Sequence, residues 1–332
     1  MNRNAYDKFS RRSLVIAGAL FCVSVSAAAQ AEFPSQPIRF VVPFAAGGAL
    51  DYVARTLGAE ITKQAKIQVI VENRPGASGI IAAENVKSSP ADGYSVLITN
   101  MESHVNNLGL FKSLPYDPVR DFQPVGLIAS AAAILVGNGR VPAQTFSEVI
   151  SYARSEKGGV TFGTWGNGTY SHIAIASLAR IDKFEVVTVP YKGETPVVQD
   201  LLGGNLSFAM ASVLVAKAQV EKGVMRAYAV NGDERLALMP SVPTFKELGY
   251  TDPVLTMRPW FAAYAPAGTP KPVVEKINGL LRSALRAPDV AKSLSEKGFN
   301  PIGSSPAEHQ RELNVQIQTF TKVMREIGIQ PD

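Results

Sequence analysis

The chain has 332 residues, with 33 lysines and arginines against 28 acidic residues, a net charge of +5, and 46% hydrophobic content. That size and apolar content suit one large or two medium cores, which excludes a disordered tail or a small stapled scaffold. The single cysteine, Cys22, excludes disulfides and thiolate metal sites from everything downstream of it.

The N-terminus reads as an export signal. Arg3, Lys8, Arg11 and Arg12 precede an apolar run over 14–25, and Ala29-Gln30-Ala31 gives the small-residue cleavage pattern. The run is about 12 residues, too short for a bilayer that takes about 20. Paired arginines at 11 and 12 fit either export route. Phe21 stands where a lipoprotein leader wants a small residue, so no lipid anchor is expected. A signal over 1–31 implies a periplasmic location. Beyond it, 29 basic residues face 27 acidic ones, a net of +2 that gives no field for nucleic acid.

A strand at Ile38–Val42 runs into the small-residue loop Pro43-Phe44-Ala45-Ala46-Gly47-Gly48, and a helix follows with Val53, Ala54, Leu57 and Ile61 at helical spacing. Such a loop brings backbone N–H groups to an anion at a helix N-terminus. Asp51 can cap that helix; aimed at an anionic ligand it would repel, so it is expected to organise the loop. A strand over 67–71, a break at Asn73-Arg74-Pro75-Gly76, a helix over 80–88 and a strand over 94–99 complete a β-α-β-α-β unit. Asn100 then stands at a carboxyl strand edge, where open α/β sheets hold ligands; Glu102 there reads as a solvated loop carboxylate, with repulsion of an acid or pairing with an ammonium as the alternative.

The apolar stretch 124–138 is long enough to cross to a second lobe, where the unit recurs. It has strands over 160–163, 185–190 and 206–210 and helices over 171–180 and 195–202. The loop after its first strand offers Thr164, Asn167, Gly168, Thr169 and Ser171 as a second cradle, about 120 residues from the first. A return segment over 254–265 and amphipathic helices over 272–285 and 306–327 close the chain. Two anion-cradling loops on two lobes with a two-strand hinge suggest one small acidic ligand gripped between them. Tyr170, Tyr191 and Trp260 are candidate aromatic walls.

Other chemistry finds little support. The Gly166-x-Gly168 pattern lacks the third glycine of a dinucleotide fingerprint, since Ser171 stands there. Ser171-His172 has no nucleophile elbow around it, and adjacent helical side chains diverge. His104, His172 and His309 lack metal-ligand spacing, so no metal or cofactor is expected.

Several motifs in order carry a family resemblance. They are Pro43-Phe44-Ala45-Ala46-Gly47-Gly48 with Asp51, Glu72-Asn73-Arg74-Pro75-Gly76-Ala77, Ala91-Asp92-Gly93-Tyr94 and Pro115-Tyr116-Asp117-Pro118. Further on come Pro190-Tyr191-Lys192-Gly193 with Asp200-Leu201-Leu202-Gly203-Gly204, Pro240-Ser241-Val242-Pro243, and Ala265-Pro266-Ala267-Gly268. From Pro34 onward the chain resembles the Bug family, periplasmic substrate-binding proteins of tripartite tricarboxylate transporters. The resemblance implies a two-lobed α/β binding protein of the Venus-flytrap type, each lobe a mostly parallel sheet flanked by helices, joined by two crossover strands. It implies lobes over 32–127 and 128–255, with 256–332 returning mainly to the first. It also implies a monomer that holds an amino diacid, a dicarboxylate, a tricarboxylate or an aromatic acid on loop amides and delivers it to membrane permease subunits. Some relatives serve as sensors instead, and a secreted α/β hydrolase is the remaining alternative. Two departures bear on specificity. Ala211 replaces an aspartate that many relatives carry, and if that aspartate pairs with a ligand ammonium its absence weakens the case for an amino-acid ligand. Arg258 stands on the return crossing, either at the cleft for a second carboxylate or on the hinge surface.

Overall fold

The computed structural model describes residues 33–328, so the export signal expected over 1–31 lies outside them. Two mixed sheets, both within the unit that begins at Gln36, carry the fold. The first sheet contains β1 (Ile38–Val42), β2 (Val69–Asn73), β3 (Ser95–Asn100), β4 (Phe122–Ala131), β10 (Trp260–Pro266) and β11 (Phe299–Pro301). Its order is β11-β4-β10-β3-β1-β2. The second contains β5 (Ala133–Asn138), β6 (Val160–Thr164), β7 (Val186–Pro190), β8 (Phe208–Ser212) and β9 (Met225–Val230), in the order β7-β6-β8-β5-β9.

Helix α1 (Ala49–Ala65) links β1 to β2, and α2 (Ile80–Lys87) leads to β3. After β3 the chain winds through a π turn, Glu102–Asn106, into the short α3 (Asn107–Leu110). In the second lobe α4 (Phe146–Ser155) precedes β6, α5 (Tyr170–Asp182) links β6 to β7, α6 (Glu194–Gly203) links β7 to β8, and α7 (Val213–Glu221) leads to β9. The turn α8 (Pro253–Thr256) precedes β10, and α9 (Lys271–Arg286), α10 (Pro288–Glu296) and α11 (Pro306–Glu326) close the chain on the first lobe.

The repeated unit is parallel in both lobes: β1 pairs with β2 and β3, and β6 with β7 and β8. The sheets are mostly parallel, as expected: β1, β2, β3 and β4 run one way in the first, with β10 and β11 against them, and β6, β7, β8 and β9 run one way in the second, with β5 against them. The chain passes from the first sheet to the second at Ala132, between β4 and β5. The two crossings are stitched together. Ala131 N donates to Pro259 O at 2.8 Å, and Ala133 N donates to Asn231 Oδ1 at 2.9 Å.

The elements follow from their side chains. Leu50, Val53, Ala54, Leu57 and Ile61 bury one face of α1 against the sheet, and Lys66 ends the helix in a left-handed conformation. One apolar cluster runs through both lobes, from Val41 and Leu97 through Tyr170 and Phe208 to Phe320. A second lies under α6 and α7 around Val197, Leu201 and Val213.

Candidate functional site

A cavity of about 300 Å³ opens between the lobes at the carboxyl ends of their parallel strands. From the first lobe Phe44, Ala45, Ala46, Gly48, Ala49 and Leu50 line it, with Asn100 and Glu102 beside them. From the second lobe come Trp165, Lys192, Gly193, Glu194, Thr195 and Ser212. The crossings supply the floor through Ala131, Ala132, Ala133, Pro259 and Phe261.

The first loop is held by one buried carboxylate. Asp51 accepts from Gly47 N at 2.9 Å, Arg55 Nε at 3.0 Å and Asn73 Nδ2 at 2.9 Å, and Asn73 also reaches Phe44 O at 2.9 Å. Burial alone would raise this carboxyl; the bonds from Arg55, Gly47 and Asn73 outweigh it and hold it below the usual range. Asp51 sits inside the first turn of α1 rather than at the cap, which is Gly48 and has no side-chain cap. Gly47 takes the left-handed φ of +86° that the clamp requires. The first helical bond of α1 runs from Tyr52 N to Gly48 O. The preceding amides therefore have no partner within the helix.

The second lobe departs from expectation. Of the loop 163–171, Trp165 lines the cavity, and Thr164, Asn167, Gly168, Thr169 and Ser171 do not. Their bonds run elsewhere. Ser171 Oγ accepts from Trp165 N at 2.9 Å and meets Thr169 Oγ1 at 3.0 Å, Thr169 Oγ1 donates to Gly166 O at 2.8 Å, and Gly168 N donates to His172 Nδ1 at 3.0 Å. Thr164 is fully buried. The loop docks on the first lobe instead: Asn106 Nδ2 donates to Gly168 O at 3.0 Å and Ser78 Oγ to Asn167 O at 3.2 Å.

The second helix N-terminus at the cavity is that of α6. Its cap, Gly193, has a φ of +114° and no side-chain cap, and Gly193 N donates to Trp165 O at 3.1 Å. Sequence reasoning missed it, although Lys192-Gly193 ahead of a helix and just past a strand was a usable signal. Two helix N-termini without side-chain caps, one from each lobe, thus face one space.

Other expected wall residues lie off the cavity. Tyr191 directs its hydroxyl to the Asp200 carboxylate, Tyr170 to Val254 O at 2.8 Å, and Trp260 packs against His309. Arg258 is corrected likewise. Its Nη2 donates to Glu234 O at 3.0 Å, and its side chain lies along Gly232, where a Cβ would come within 2.5 Å of Nε. Phe44, Trp165 and Phe261 are the aromatic residues that reach the cavity. Ser171 and His172 each have the loop bonds given above and do not pair with one another. Among the described residues no cluster of His, Cys, Asp or Glu could hold a metal.

Glu102, expected to be solvated, is 2% exposed. Its Oε1 accepts from Tyr170 N at 3.3 Å, while Oε2 has no partner. Across the cavity Glu194 accepts from the backbone N–H of Ser212 and from Ser212 Oγ, the latter at 2.9 Å. Burial pushes both carboxyls up to about 7.

These groups carry a pH consequence. An acid with a higher pKa folded than unfolded keeps a proton that the unfolded chain has released. From about 4.5 up to about 7, Glu102 and Glu194 therefore make stability fall as pH rises. Buried His104 and His309 act oppositely. Burial lowers both below 6.5, His309 to about 3, so stability falls as pH drops from 6.5. The two effects offset each other through mildly acidic pH. The double variant Glu102→Gln/Glu194→Gln removes one of them, so its melting temperature should drop more steeply than wild type between about pH 6.5 and 5. Parallel melting curves would mean the carboxyls ionise normally in the native state.

Comparison with known proteins gives a consistent set of similarities. The family model described as tripartite tricarboxylate transporter family receptor matches residues 53–329. The Bordetella pertussis protein BugT is 30% identical over 297 residues, 89% of this chain and 90% of its own. An R. palustris protein solved with adipate is 31% identical with a TM-score of 0.86, across 91% of this chain and 100% of that one. MatC from Rhodopseudomonas palustris with bound malate is 31% identical with a TM-score of 0.81, across 88% and 99%.

Proposed function

The chain belongs to the tripartite tricarboxylate transporter receptor family, and from that premise we propose that it captures a small carboxylate between its lobes in the periplasm and delivers it to the membrane subunits of such a transporter. The family consists of receptors, not enzymes. The observation that carries the reading is the convergence of the α1 and α6 N-termini on one cavity. Each offers unpaired amides and the positive end of a helix dipole, and a carboxylate is the small anion that suits both.

Because the donors sit on different lobes, a ligand that touches both stabilises the closed arrangement over any open one. That coupling is what a delivery protein needs, since the permease must distinguish loaded from empty. A cavity of about 300 Å³ fits a small acid and little more. The relatives bound to adipate and malate support the same ligand class.

The test is a thermal-shift screen of the mature chain against succinate, malate, adipate, citrate, aspartate, glutamate and benzoate. An acid at 100 times its dissociation constant should stabilise the native state by about 2.7 kcal/mol, a clear upward shift. No shift from any acid, in folded protein stripped of carried-over ligand, would sink the reading.

A further inference from the structure

We propose that Glu102 sets the specificity of this cavity by receiving a protonated amino group that the ligand carries beside its carboxylate. The inference rests on the reading of the cavity as a carboxylate site and adds to it what the other end of the ligand must be.

The starting point is an uncommitted oxygen. Glu102 is 2% exposed and lines the cavity, and its Oε2 makes no hydrogen bond. Its Oε1 accepts a long bond, 3.3 Å from Tyr170 N, and its own backbone N–H and the Asn100 side chain also favour the ionised carboxylate. A buried carboxyl oxygen without a partner is costly, and a ligand donor arriving in the cavity removes that cost. The facing carboxyl, Glu194, is occupied with Ser212 through both oxygens. Glu102 Oε2 is therefore the acceptor left free.

Charge decides which donor. Among the described residues neither Glu102 nor Glu194 has an ion pair, and the cation that lines the cavity, Lys192, is exposed at its rim. A ligand with carboxylates alone adds negative charge to a space already walled by two desolvated carboxyls, and both must then hold a proton. An ammonium supplies a donor and a counter-charge together, while a hydroxyl supplies the donor alone. The helix N-termini of α1 and α6 repel the positive end and attract the negative one, so the two features orient a zwitterion in one direction.

The position suits a selector. Glu102 stands on the π turn after β3, and π turns concentrate at functional sites. Its bond to Tyr170 N also ties it to the start of α5 in the other lobe, so a ligand seated on Glu102 is read by both lobes.

The experiment is calorimetric titration at pH 7.5 with matched acids: succinate, L-malate and L-aspartate, then glutarate and L-glutamate, then adipate and 2-aminoadipate. Wild type and Glu102→Gln are compared. The glutamine keeps the size and an oxygen for Tyr170 N. In wild type an amino acid should bind at least about tenfold tighter than its unsubstituted diacid, and Glu102→Gln should erase that preference while the diacid binds as well or better. A merely structural role would weaken every ligand together. Equal or tighter binding of the unsubstituted or hydroxy acid by wild type overturns the inference, as does an unchanged preference in Glu102→Gln. Either result leaves the carboxylate reading standing. If no acid binds either protein, the proposed function fails first and the inference goes with it.

Discussion

Gly48→Val is expected to abolish ligand binding, by about 100-fold or more, in a protein that still folds. Gly48 caps α1 with φ −82° and ψ 175°, an extended conformation that β-branched residues favour. A Cβ there would meet Ala45 O at an ordinary 3.7 Å and nothing else within 4 Å. The methyls therefore project where the cavity is, over the amides that begin the helix. Valine is a poor cap, so a stability loss of about 1 kcal/mol and a few degrees in melting temperature accompany it. The neighbouring Gly47 is a worse choice for this test, because its φ of +86° would strain any side chain and mix folding with binding. The measurement is calorimetry with an acid that shifts the wild-type melt, beside circular dichroism of both proteins. Undiminished affinity in folded Gly48→Val would remove the α1 amides from recognition and leave α6 alone. The expected loss exceeds tenfold because the substitution fills space and denies several donors at once, each charge-assisted bond being worth about 1.5–3 kcal/mol.

How far the chain could be read before its structure was known depends on the range of each interaction. The β1–loop–α1 segment was legible because strand period, glycine pair and helical spacing are local, and the same holds for β6–α5 and β7–α6. What failed was the choice between two loops that both follow parallel strands and both carry glycine. Gly168 approaches Leu110 of the other lobe, which turns its loop into a lobe–lobe contact, while Gly193 is left facing the cavity. Arg258 could not be placed because its resting place is Gly232, 26 residues earlier in the chain. Glu102 lies in a π turn, whose period matches neither helix nor strand, so no pattern marked its burial. Sequence spacing located the donors along each strand edge; packing between lobes decided which of them share a space.

That packing yields the second large effect. Gly168→Ala should destabilise the protein by about 2–4 kcal/mol, the sum of backbone and packing costs. Gly168 has φ +68°, where an L side chain costs about 1–2 kcal/mol. Its Cβ would fall 1.8 Å from Leu110 Cδ1, 2.5 Å from Cδ2 and 2.6 Å from Cγ, so the whole leucine side chain must leave or the lobes must part. Parting breaks the bonds from Asn106 to Gly168 O and from Tyr170 N to Glu102, which hold the two lobes together at the edge of the cavity. Ligand affinity should fall as well, since closure then has to recover those contacts. Leu110→Ala separates the two costs. Alone it removes a half-buried contact, but combined with Gly168→Ala it makes room for the new methyl. The double variant should then be more stable than additivity allows by about 1–3 kcal/mol. Urea denaturation of the four proteins measures this coupling. Strict additivity, or a Gly168→Ala cost of only about 1–2 kcal/mol, would mean that backbone strain is the whole effect and that the lobes do not meet at Leu110 in solution.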